Sequence, residues 1–160
     1  MKKTIDYLYE FKKKYPLTIQ WRLRRHARVI DEHINPGEHV LYAFAGQKSF
    51  YGDLWHTFAV AITDQRIVVA EKRLIFGYFY ISITPDLFND LSIDSGIFWG
   101  KVTIDTLKEQ VVLGFIDKKA LVEIETQVST YMAELKKKFL NKKKEKEIKE
   151  EQEEVEKIDI

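Results

Sequence analysis

Several groups of residues in this chain have types and spacings that could carry chemistry. Pro85-Asp86 followed by Asp117-Lys118-Lys119 fits the outline of a metal-dependent nuclease, in which two carboxylates hold a divalent cation and a lysine assists the attacking water. Thr63-Asp64-Gln65-Arg66 sets an acid, an amide and a guanidinium side by side between two apolar runs, in FAVAITDQRIVVAEKRL (58–74). Trp21, Arg22, Arg24, Arg25 and Arg28 interleave an indole with cations, a mixture that suits an anionic lipid surface or a nucleic-acid backbone. The four histidines, His26, His33, His39 and His56, show no HExxH spacing; His26 and His33 are seven apart and share a helical face, but no further ligand joins them. Phosphate-cradling loops and a GxSxG nucleophile elbow are missing. The residues therefore predict no catalytic group, no metal site and no cofactor.

The elements that must position these residues follow from periodicity. Ile5, Leu8, Tyr9, Phe11 and Tyr15 recur at helical spacing opposite Lys3, Asp6, Glu10, Lys13 and Lys14, which predicts an amphipathic helix ended by Pro16. Thr18 is the expected N-cap of a second helix, with Ile19, Leu23, Ala27, Ile30 and Ile34 on one stripe. The arginines then spread over the opposite face, with Trp21 between Arg28 and Arg25. That face is either a contact surface or is covered by the first helix, with its arginines paired to Glu10, Asp31 or Glu32. Asn35-Pro36-Gly37 closes the helix.

From Glu38 the texture changes to short β-rich runs: 39–46, 56–63, 66–74, 76–83, 87–93, 98–106 and 109–116. The breaks between them are of hairpin length, which requires antiparallel pairing, because parallel strands need long crossovers. After Asp117 an apolar stripe of Leu121, Ile124, Val128, Leu135 and Phe139 predicts a helix, for which Asp117 is a suitable N-cap. That role, on the helix side of the last strand, speaks against the nuclease outline. Beyond Leu140 the chain is a charged tail with i,i+4 pairs such as Lys143 with Glu147, too poor in apolar residues for a core.

The break at 47–55 carries Phe50, Tyr51 and Trp55, aromatic residues that serve as contact anchors or fold back over the barrel end. Thr63-Asp64-Gln65-Arg66 reads as the turn between two strands, with Arg66 anchoring the hairpin.

Composition limits the function classes. With no cysteine, thiolate chemistry and disulfides are excluded, and with no long apolar segment the expected setting is cytoplasmic, membrane-peripheral at most. The net charge is +1, yet residues 1–36 hold nine Lys/Arg against four Asp/Glu, so the helical arm is the electropositive part.

The ordered set INPGEHVLYAF (34–44), AITDQRIVVA (61–70), ISITPDLFNDLSIDSGIFWGKVTID (81–105) and a closing helix resembles the bacterial pleckstrin-homology (PH)-like domains of the YokE-like group. Here Thr84 separates Ile83 from Pro85, where that group commonly places the proline directly after the isoleucine. The resemblance implies a seven-stranded antiparallel barrel or sandwich capped by a C-terminal helix, with a helical arm at 1–36, the PH-like domain at 37–139 and a tail at 140–160. It implies a non-catalytic binding or scaffolding module whose partner is another protein or a second copy of the chain. It supplies no ligand: the loop after the first strand offers only Lys48, set against Asp53, where phosphoinositide readers place several cations. The alternative partner is an anionic membrane or nucleic acid on the Trp21 and arginine face; no small-molecule substrate is indicated.

Overall fold

The computed structural model describes residues 1–48 and 54–159. Two helices, α1 (Thr4–Lys14) and α2 (Leu23–His33), precede seven strands: β1 (Val40–Gln47), β2 (Thr57–Thr63), β3 (Ile67–Lys72), β4 (Tyr78–Ile83), β5 (Phe88–Ser95), β6 (Trp99–Thr106) and β7 (Gln110–Asp117). A 3₁₀ turn (Lys118–Ala120) leads into the 38-residue helix α3 (Leu121–Ile158). All neighbouring strands pair antiparallel, as the short breaks require, in the order β4-β3-β2-β1-β7-β6-β5. The result is one sheet curled into a PH-like half-barrel, open between β4 and β5. Among the described residues its two halves pair at Gln47 and Gly114, where a Cβ on Gly46 would come within 2.8 Å of Ile116 and 3.1 Å of the Gly114 carbonyl. Glycine there allows the strands to cross closely.

Alternation along β1–β3 assigns the two faces. Phe44, Val60, Ile62, Ile67 and Val69 point into the curl and join Val102, Ile104, Leu113 and Ile116 from the second half. The open side is closed by Leu121, Ile124, Val128, Met132 and Leu135 of α3, spaced three or four apart on one helical face. The alternate positions Ala43, Ala45, Ala59, Ala61, Val68 and Ala70 face the other way, and Leu8, Leu23, Ala27, Val29 and Ile30 of the helical arm pack on them. Small side chains let the helices approach the sheet, so β2 is buried along its whole length. Phe11 of α1 and Tyr15 just after it reach round into the inner core, with the Phe11 ring 6.1 Å from that of Phe44.

The second helix starts later than its expected N-cap. Thr18 does not cap it: the Thr18 hydroxyl accepts a hydrogen bond from the Asp117 backbone N–H (2.9 Å), and the Ile19 N–H donates to the Phe115 carbonyl (2.9 Å). Residues 17–22 are therefore a strap laid along the end of β7, and Arg22, in the left-handed conformation (φ 54°), turns the chain into α2. Ile19, Trp21 and Arg22 are off the helix, and only Arg24, Arg25 and Arg28 share it. The third and fourth strand runs are also shorter than the sequence predicts, leaving residues 73–77 as a hairpin tip. Among the described residues no helix is long and apolar enough to cross a membrane.

Candidate functional site

Each singled-out group has a definite place. Thr63-Asp64-Gln65-Arg66 is the β2–β3 turn, and its chemistry is spent inside the protein. The Arg66 Nε and Nη2 donate to the two carboxylate oxygens of the buried Glu38 (2.9 and 3.0 Å), while Nη2 also reaches the His33 carbonyl (2.8 Å) and Nη1 the Ser82 hydroxyl (3.0 Å). The Thr63 hydroxyl donates to Glu38 (2.7 Å), accepts from the Gln65 and Arg66 N–H groups, and so shapes the turn. Burial alone would raise the Glu38 pKa; hydrogen bonds from Arg66, Asn35 and Thr63 outweigh it and hold the carboxyl below its ordinary range. Asp64 accepts from the His39 backbone N–H (3.0 Å) and lies 3.1 Å from its ring. The knot is a clamp joining the end of α2, the start of β1, the hairpin and β4.

The nuclease outline is not assembled. Asp117 is buried and accepts from the Lys119 N–H (3.0 Å), capping the 3₁₀ turn as its position suggested. Asp86 lies at the far end of the packed part of α3, in a cleft with Leu135 and Lys138, whereas Asp117 precedes its start; the helix rises about 20 Å from Leu121 to Leu135. The histidines disperse as well. His26 is buried and its Nδ1 accepts from the Lys72 N–H (2.8 Å), burial and the neighbouring Arg22 charge pushing its pKa down to about 4. His33 stacks on Tyr80 at 4.0 Å, and the Nδ1 of His56 lies 3.1 Å from Glu71. Among the described residues no three His, Asp or Glu side chains gather as a metal site.

What does assemble is the opposite end of β3. Trp21 is half exposed; its backbone N–H donates to the Thr57 hydroxyl (2.9 Å) and its indole N–H to the Leu54 carbonyl (2.7 Å), which ties the strap to the β1–β2 connection. Trp55 follows, 75% exposed, whereas Phe50 and Tyr51 lie outside the described residues. Arg22 donates to the Lys72 carbonyl (3.1 Å), joining the strap to the root of the β3–β4 hairpin. Arg25 and Arg28 line a cleft of about 250 Å³ with Lys72, Tyr78 and Glu32. Arg24 stands apart, exposed, with its guanidinium 5.4 Å from the Tyr9 ring of α1. On the other side of the strap, the Trp99 indole donates to the Leu17 carbonyl (2.7 Å).

The strongest feature of this end escaped the sequence reading. Strand β3 stops at Lys72, which pairs with Tyr78, and the Arg73 N–H donates to the Gly77 carbonyl (3.2 Å). Gly77 adopts φ 72°, the conformation that closes the turn. Between them Leu74, Ile75 and Phe76 are 56%, 80% and 84% exposed. The signal was the string KRLIFGY, absorbed into two apolar strand runs on either side.

With this geometry established, the comparison with known families decides the architecture: a family model described as a bacterial PH domain matches residues 34–130. The chain belongs to that family. No curated protein and no solved structure gives a significant match. The matched part of this bacterial PH domain takes in β1–β7 and the first turns of α3; α1, the strap and all of α2 precede it, so Arg22, Arg25 and Arg28 lie outside the matched segment.

Proposed function

We propose that this bacterial PH domain is a non-catalytic binding module that docks through the end of the half-barrel formed by the strap, Trp55 and the β3–β4 hairpin tip. The observation that carries the reading is that exposed apolar side chains, Trp21, Leu54 with Trp55, and Leu74-Ile75-Phe76, sit on three segments that hydrogen bonds from Trp21 to Leu54 and from Arg22 to Lys72 tie together. Large exposed apolar groups rimmed by polar ones mark contact surfaces. On the same reading, the resemblance of the motifs at 34–44, 61–70 and 81–105 to the YokE-like group supports membership of it, with a cytoplasmic setting and a protein, a second copy or an anionic surface as partner classes.

A photo-reactive residue at position 75 tests this, compared with one at the exposed Asn89 on the β5 edge. In whole-cell lysate that retains its membranes, position 75 is expected to give covalent adducts with protein or lipid and position 89 none. Equal labelling at both positions, or none at either, would remove the rim as the docking surface.

A further inference from the structure

We propose that residues 73–77 are an apolar finger that inserts into an anionic phospholipid bilayer, with Lys72, Arg73, Arg22, Arg25 and Arg28 forming the collar that meets the headgroups. This names the partner of the rim and rests on the docking reading above.

The finger stands on a firm stem. Strand β3 is paired on both sides, Val68 facing Ala61 of β2 and Ser82 of β4, so the tip is fixed by two ladders and needs no folding on contact. Its side chains are Leu74, Ile75 and Phe76, and no acid occurs in the chain between Glu71 and Asp86. Glu71 itself is buried, its Oε2 3.1 Å from His56 and its Oε1 3.9 Å from Lys48, so its charge is turned inward and matched. The collar gathers five cations at the finger's root, two from the hairpin itself, one bonded to the Lys72 carbonyl and two across the cleft, against the single carboxylate of Glu32.

The order of these groups selects the partner. From the body outward the protein presents cations and then a large apolar tip; a membrane presents anionic headgroups and then hydrocarbon, so each layer meets its complement. A nucleic acid would engage the collar and leave the tip in water. A convex tip of three side chains also falls well short of the roughly 800 Å² per partner of a standard protein interface. Tyr78 pairs with Lys72 at the finger's base and Trp21 adjoins Arg22, which bonds the Lys72 carbonyl; both are about half exposed and of the residue types enriched where hydrocarbon meets water. Arg25 and Arg28 are exposed on an open cleft, so the collar senses charge density and does not select a particular headgroup.

The test uses the full chain in sedimentation with phosphatidylcholine vesicles, plain or mixed with phosphatidylglycerol or phosphatidylserine at matched charge. Binding is expected to both anionic mixtures equally, weakly to the neutral vesicles, and to fall as salt rises. Ile75→Asp with Phe76→Asp is expected to weaken binding at least about tenfold, and Arg25→Glu with Arg28→Glu about tenfold or more. Phe76→Ser, a milder change, should lie between wild type and the double variant, and circular dichroism melts should show each variant folded. Absence of pelleting with anionic vesicles at low salt overturns the proposal, as does pelleting indifferent to the finger substitutions or binding as strong to neutral vesicles. If vesicles fail while position 75 cross-links to a protein, the lipid is wrong and the docking rim stands; if both fail, the rim falls too. A dimer in light scattering that Ile75→Asp dissolves without any vesicle binding would assign the finger to a second copy of the chain and overturn the lipid reading.

Discussion

The two ends of strand β3 carry hairpins of opposite character. At one end, Thr63 and Arg66 turn inward on the buried Glu38, and the hydroxyl, the guanidinium and the carboxylate are all used within the fold. At the other, residues 73–77 close with a backbone hydrogen bond and a positive-φ glycine, and their large side chains point into solvent. The polar cluster is architecture, and the apolar string that looked like strand is an exposed tip, the contact surface proposed above. The turn reading of Thr63-Asp64-Gln65-Arg66, with Arg66 as its anchor, holds, whereas the exposed tip at the other end of the strand was not read from the sequence. A charged pair completed inside the protein has nothing left for a ligand, whereas exposed apolar area retains all of its hydrophobic free energy for a partner.

Three measurements sharpen that contrast. The largest effect is expected at the clamp: Arg66→Met leaves the Glu38 carboxylate buried without its partner and should cost about 3–5 kcal/mol in chemical denaturation. Replacing Glu38 by Met as well should recover much of that loss, since the penalty belongs to the uncompensated charge and not to the pair. A loss below about 1 kcal/mol for Arg66→Met would show that the clamp is dispensable.

The second concerns His26, which accepts a hydrogen bond from the Lys72 backbone at the root of the finger. Its folded pKa, about 4, lies below the ordinary 6.5, so between these values the unfolded chain binds more protons than the folded one and stability rises with pH. The contribution is complete above pH 6.5 and lost as pH falls to about 4, a change of about 3 kcal/mol. Denaturation series across that range should show the slope in wild type and a flatter profile in His26→Gln; an unchanged slope would assign the titration elsewhere. The smallest effect is expected at the finger. Ile75→Asp with Phe76→Asp should shift folding stability by no more than about 0.5 kcal/mol, because those side chains are exposed in the folded state as in the unfolded. A substantial loss of stability would mean that the tip packs against the protein and is not held out for a partner.

Much of this fold was legible in the residues. Seven strands, the turn at 63–66, the cap at Asp117 and most of the α3 stripe appear where period and turn chemistry placed them, the third and fourth strands shortened at the 73–77 tip and Phe139 left exposed, because each rests largely on contacts local to its own segment. The docking of the helical arm was also written in the chain, in the alanines at alternate positions of β1–β3, although it takes the folded sheet to show that they share one outer face. The candidate site was less legible. Trp21 and Arg22 were placed on a helix that the strap prevents from forming, since Thr18 and Ile19 bond to Asp117 and Phe115, about a hundred positions away in the chain.

By itself, then, the sequence determined the alternation that builds a curled antiparallel sheet, the amphipathic helix that closes it and the electropositive bias of the first segment. Tertiary structure alone decided where α2 begins, that Arg22 meets Lys72, and that Leu74, Ile75 and Phe76 are left outside. The physical reason is range: periodicity and turn propensity act over a few residues, whereas exposure depends on which distant backbone groups and side chains arrive to cover a segment. Among the described residues, none covers Leu74, Ile75 or Phe76.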